Sequence, residues 1–146
     1  MTTVDARVRG DPSTGADRPG RNLRLGWTVF TILLAGGFFL EAIFAGSILS
    51  GVTWGRKAHA ATAMILIASA LTGALVGLVT LRRFRHGPRL GLTLLSLAVA
   101  ALAQAALGAM SAKGANLTWI HVPLGVALVS LAGLAVIAAR GMGRDV

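Results

Sequence analysis

Two histidines, one glutamate and one glutamine hold most of the chemical capacity of this 146-residue chain, which has three His, five Asp+Glu, no Tyr and no Cys. The lack of Cys removes disulfides, thiolate metal sites, covalently attached c-type haem and Cys nucleophiles together. No nucleophile–base pair and no metal cluster is visible in the pattern, so nothing in it marks an enzyme. Two neutral imidazoles are, however, the usual axial ligands of a low-spin b-type haem. His59 and His121 lie 62 residues apart, each preceded by one polar residue in an apolar run: Glu41, 18 before the first, and Gln104, 17 before the second.

These pairs sit inside an internal repeat. Gly46 precedes His59 by 13 positions and Gly108 precedes His121 by 13, and Thr53-Trp54 and Thr118-Trp119 stand just before the two histidines. Each half reads as a helical hairpin with a polar residue on the rising helix and a His opening the returning one. Two hairpins of the same topology predict a parallel repeat about an axis along a membrane normal.

The elements that must position these residues are four apolar runs, about 25–50, 58–81, 90–110 and 117–139. Each reaches the ~20 residues that span a ~30 Å hydrocarbon core as a helix, and in lipid a helix satisfies its own backbone groups. The composition agrees: 55% hydrophobic, 13% charged and a mean hydropathy of +0.74. The expected fold is therefore all-α, four transmembrane helices in an up-down-up-down bundle. Gly73-x-x-x-Gly77 is a small-residue contact motif within it. Residues 1–24, with five Arg, three Asp and two Pro, read as a disordered basic tail, and 140–146 as a second short tail. Trp54, Trp119 and Trp27 read as an aromatic belt. Pro123 reads as a first-turn proline of the fourth helix.

Charge sets the orientation. Of 14 Lys+Arg, five lie in the N-terminal tail, four in Arg82–Arg89 and two in the C-terminal tail. The loops near 51–57 and 111–116 hold only Arg56, Lys57 and Lys113. The positive-inside rule then predicts cytoplasmic termini in a bacterial plasma membrane. The +9 net charge is thus a topology signal. It is not the footprint of a nucleic-acid binder, because the cations flank apolar runs instead of forming one polar face.

In this topology His59 and His121 lie near the outer ends of helices two and four, which can face each other in a bundle. Small residues follow both on the same helical face: Thr62, Ala63, Leu66, Ala70 and Gly73 after the first, and Leu124, Gly125, Leu128 and Ala132 after the second. Arg56, Lys57 and Lys113 at the outer rim suit haem propionates. Glu41 is the only acid inside a span. Its expected role is a bond to a cofactor, a substrate or a transferred proton, or else to a neighbouring helix, with Gln104 as the natural partner. The plainer alternative makes the histidines interfacial residues and the small ones packing surfaces.

The segments Gln104-Ala-Ala-Leu-Gly108 and Trp119-Ile-His121-Val-Pro-Leu-Gly125 resemble the third and fourth helices of one half of the haem A synthase family. Glu41–Gly46 followed by His59 resembles the first and second. The resemblance spans about residues 30–135 and implies a four-helix bundle with one His on helix two and one on helix four facing a haem. The catalytic half of that family carries a Glu three residues before the helix-two His and an Arg just after it, where this chain has Arg56 and Ala60. The family also has eight spans against four. The resemblance therefore implies a haem-binding half-bundle without carrying over the oxidation of a haem methyl group. The chain is similar, too, to small four-helix membrane proteins of actinobacteria-like genomes.

The sequence thus points to an integral membrane protein that holds haem b between His59 and His121, for electron transfer or haem handling. Its partners would be the bilayer, a quinone or a redox protein, and a second copy that could rebuild an eight-helix assembly. The alternative is a cofactor-free accessory or small-molecule transport protein acting through Glu41. Because the chain has no Cys, its topology can be read directly with single cysteines. Ser50→Cys and Ala115→Cys should react with a membrane-impermeant thiol reagent in intact cells, and Arg83→Cys only after permeabilisation. The reverse pattern would invert the orientation.

Overall fold

The computed structural model describes residues 18–142, with side chains from Gly20 onward. They form four helices: α1 Arg18–Leu49, α2 Gly55–Thr80, α3 Gly87–Ala112 and α4 Thr118–Gly141. No strand occurs among the described residues. Each helix is long and apolar enough to cross a bilayer, so the chain is a four-span integral membrane protein. α1 begins at Arg18, which makes 18–24 the first turns of a helix; residues 1–17 of the expected tail and 143–146 lie outside the described residues.

Each helix packs on its neighbours in sequence, and α1 also packs on α4. α1 and α3 therefore occupy one diagonal of the bundle, and α2 and α4 the other. The α1–α2 and α3–α4 loops lie at one end, here the loop end. The termini and the α2–α3 turn lie at the other, the termini end. Outward faces carry exposed Leu33, Ile65, Val79, Val99, Val126 and Ile137, the polarity that acyl chains require.

Burial reveals the repeat. On α1 the buried residues are Trp27, Thr31, Leu34 and Phe38; on α3 the positions 63 later, Leu90, Leu94, Leu97 and Ala101, are buried. On α2, Leu66, Ala70, Gly73 and Gly77 correspond at 62 residues to buried Leu128, Ala132, Ala135 and Ala139 on α4. The two loops, 50–54 and 113–117, have equal length, and the offset changes by one at the helix starts: His59 is the fifth residue of α2 and His121 the fourth of α4. Before that change the loops match. Val52 N–H donates to Ser47 and Gly51 N–H to Ile48, while Ala115 N–H donates to Met110 and Gly114 N–H to Ser111. Both are Schellman motifs, and both need a left-handed residue at C′, which Gly51 (φ 77°) and Gly114 (φ 100°) supply.

That register decides which sequence echoes are real. Gly108 corresponds to Ala45 and not to Gly46, which is exposed and would leave an added Cβ with nothing within 4 Å. The two Thr-Trp pairs are 65 residues apart, so they do not superpose: Trp54 caps α2, whereas Trp119 lies within α4. Trp27 is not a belt residue either. It is buried, meets Phe30 edge-on at 5.7 Å, and its ring lies 3.3 Å from where a Gly77 Cβ would be. Pro123 is the sixth residue of α4, inside the helix, where it removes the N–H that would reach the Trp119 carbonyl.

The buried core fills the termini half. The Gly73/Gly77 motif packs as expected: a Cβ at Gly73 would meet Phe30 at 2.7 Å, and one at Gly77 would stand 3.6 Å from the Gly91 backbone. Thr31, fully buried, turns its hydroxyl back to the Trp27 carbonyl at 2.9 Å. In the turn that joins α2 to α3, His86 is left-handed (φ 61°) and Gly87 abuts the Leu81 carbonyl. Gly87→Ala should accordingly cost about 1–3 kcal/mol by backbone overpacking. Gly36→Ala, with open space around it, should gain up to about 1 kcal/mol through helix propensity. Thermal unfolding of the two variants in detergent should move in opposite directions.

Candidate functional site

Towards the loop end the fully buried residues stop at Phe38, Leu66, Ala101 and Leu128, except for Gly55, which abuts Ser47. Above that floor lie Glu41, His59, Gln104 and His121, each partly buried. Glu41 and Gln104 both precede the last residue of their helix by eight positions, about 12 Å along the axis. His59 is the fifth residue of α2 and His121 the fourth of α4. The repeat thus brings the four polar side chains, one from each helix, to one end of the bundle.

The two imidazoles meet across the α2–α4 diagonal. Their ring centroids are 6.4 Å apart and their planes cross at 74°. Within the first half, His59 Nδ1 stands 2.6 Å from Glu41 Oε2, with side-chain exposures of 27% and 12%. Glu41 therefore bonds to the neighbouring helix through His59, and Gln104 is not its partner. In the second half, Gln104 Nε2 donates to the His121 backbone carbonyl at 2.7 Å and not to its ring. The His121 ring lies against Gly108, where a Cβ would come within 2.9 Å of Cε1, and a Cβ at Gly125 would come within 3.1 Å of Gln104 Nε2. Both glycines are therefore cut to fit the polar group beside them.

Five buried side-chain polar atoms here make no hydrogen bond: Glu41 Oε1, His59 Nδ1, Gln104 Oε1, Ser111 Oγ and His121 Nδ1. Of the two imidazole atoms, His59 Nδ1 has the Glu41 carboxylate beside it as an ion-pair partner and His121 Nδ1 has none. Ser111 is the residue that sequence reasoning passed over. Its signal was present, since it follows Gln104 by seven positions and so shares its helical face. Arg56, Lys57 and Lys113 are exposed at the loop end, and the structure draws none of them into the cluster. His86 lies at the opposite end.

The donor set limits what the site can hold. Among the described residues no three His, Asp or Glu side chains converge as a metal-binding group, so a bare tetrahedral ion would lack ligands. A haem iron needs only two from the protein. Two imidazoles on opposite sides of one metal, with metal–nitrogen bonds of about 2.0 Å, have ring centroids roughly 6 Å apart. The observed spacing meets that requirement, and the seat beside Gly108 gives the His121 ring room for a ligand role.

The Gln104 bond ties α3 to α4 at this level. Interhelical bonds in bilayers average about 0.6 kcal/mol, up to about 1.7. Gln104→Leu should lower stability by that order in a detergent unfolding assay, and an unchanged midpoint would show the bond to be idle.

Set against known proteins, the chain matches no family model, no curated protein and no solved structure.

Proposed function

We propose that this protein is a haem b-binding four-helix membrane protein, with His59 and His121 as the two axial ligands. The observation that carries the reading is the meeting of two imidazoles, one from each repeat, at a 6.4 Å centroid spacing across the bundle. Bound there, a haem supplies reversible one-electron chemistry at its iron. The chain's own part is to hold the two rings at one level and to set the apolar floor of Phe38, Leu66 and Leu128 beneath them. Arg56, Lys57 and Lys113 place positive charge at the loop end, where carboxylate propionates would be neutralised. The likeness of the Gln104–Gly125 region to one half of the haem A synthase family supports the same assignment.

In this reading the protein lies in a bacterial plasma membrane with its termini in the cytoplasm, so the haem sits towards the outer face. The role is electron transfer or haem handling, with a quinone or a redox protein as exchange partner. A second reading draws on the unpartnered Glu41 Oε1: a cofactor-free accessory or transport protein in which Glu41 carries the function.

Absorbance decides between them. Protein purified from haem-replete cells should show a Soret band and a reducible α-band of low-spin type. That six-coordinate signature should disappear in His59→Ala and in His121→Ala, and the double variant should bind no haem. Colourless wild-type protein would overturn the proposal, and an effect of Glu41→Gln in such protein would favour transport.

A further inference from the structure

We infer that the two axial positions are unequal: Glu41 is a positioning residue that makes His59 the permanent ligand, and His121 is the exchangeable one. The His121 side of the iron is then a binding site for a small exogenous ligand of the carbon monoxide or imidazole class. This inference rests on the haem reading.

Three observations carry it. The first is the contact at His59. With Nδ1 held 2.6 Å from Glu41 Oε2, only Nε2 is left for iron, and the ring's tautomer and direction are set. A carboxylate on the far nitrogen of a metal-bound imidazole also raises its donor strength, and losing such a partner typically weakens metal binding 10- to 100-fold. The second is the lack of an equivalent at His121. Its buried Nδ1 has neither a hydrogen bond nor a carboxylate beside it, and the repeat counterpart of Glu41 is the neutral Gln104, whose amide donates to the backbone instead of the ring. The His121 ring meets the His59 ring edge-on and sits where a Gly108 Cβ would come within 2.9 Å of Cε1, contacts that give it no polar anchor.

The third is the helix that carries it. Pro123, two residues after His121 and inside α4, removes one backbone bond from the turn bearing the imidazole. Proline sites are where helices bend. α2 has no proline, and the turn bearing His59 is intact, with Ala58 N–H donating to Trp54. A ring without a polar anchor on a turn weakened by proline is the one that can swing away.

The test compares haem content, spectrum and potential of the purified full chain. His121→Ala should keep more than half of the wild-type haem, as a five-coordinate high-spin species that binds carbon monoxide when reduced with dithionite. His59→Ala should keep less than a tenth. Glu41→Gln, isosteric and so expected to fold, should bind haem 10- to 100-fold more weakly. Its midpoint potential should rise by about 59 mV for each tenfold loss of preference for ferric iron, a shift that a merely structural role would not produce. Equal haem loss in both histidine variants overturns the inference and leaves bis-histidine binding intact. So does a Glu41→Gln protein within twofold of wild type in affinity and unmoved in potential. A wild-type protein that takes up no added haem overturns both.

Discussion

The close approach of α2 to α3 in the termini half is the constraint on which the rest of the bundle depends. Lipid gives helices no hydrophobic reason to associate, so their register must come from packing detail. Here Gly73, Ala74 and Gly77 on α2 face Leu90, Gly91 and Leu94 on α3, and all six are buried. A Cβ at Gly91 would come 2.7 Å from the Leu78 side chain, which fixes the axial position of one helix on the other. Once α2 and α3 are locked, the turn between them and the two Schellman loops set the depth of every residue at the far end.

Burial matched at 63 and 62 residues means that the locked pair is related to α4 and α1 by the same operation. An approximate twofold axis along the bundle follows. Residues on α2 and α4 that sit at equivalent depth then confront each other across it, which is why two imidazoles separated by 62 residues come to 6.4 Å. The fully buried residues fill the termini half and, apart from Gly55, stop at Phe38, Leu66, Ala101 and Leu128 towards the loops. The polar residues lie beyond that limit, partly buried, where they displace none of the Leu, Ala and Gly of the packed core.

Much of this was legible in the sequence. Four runs of 20 or more apolar residues can hardly be anything but membrane helices, and the face that follows each histidine is given by the helical period. The depth of Glu41 and Gln104 was legible too. Other features were not, for identifiable reasons. Ala, Gly and Leu recur so often here that dipeptide echoes arise by composition, and only burial separated the true register from the Gly46 and Thr-Trp coincidences. Trp27 looked interfacial because tryptophan near a span end normally is, but Gly77 opens a seat for its ring. The helix start at Arg18 escaped the hydropathy pattern because polar residues can extend a membrane helix beyond its apolar run, whereas the start of α4 at Thr118 lies within one residue of the run that begins at 117. The choice of His59 by Glu41 was beyond reach, since it depends on side-chain direction across two helices.

The symmetric frame carries asymmetric chemistry, and the membrane accounts for that. Two carboxylates at one depth would repel each other in a medium that screens poorly, and an ionisable group within a span already costs several kcal/mol unless paired. A single acid with an imidazole beside it keeps the charge matched; the neutral amide of Gln104 keeps the polar level on the other half without a second charge. Besides His59 Nδ1, which faces the Glu41 carboxylate, this arrangement still leaves four polar atoms buried without a hydrogen bond, each at a cost of about 1–3 kcal/mol. Among the described residues that cost falls in the loop-end half, whereas Thr31, the buried polar side chain of the packed core, is satisfied by its own helix. A bundle that resolves its polar groups fully at one end and leaves them open at the other has its packing and its chemistry in separate halves. The register set by small residues in the first half is what holds the second in place.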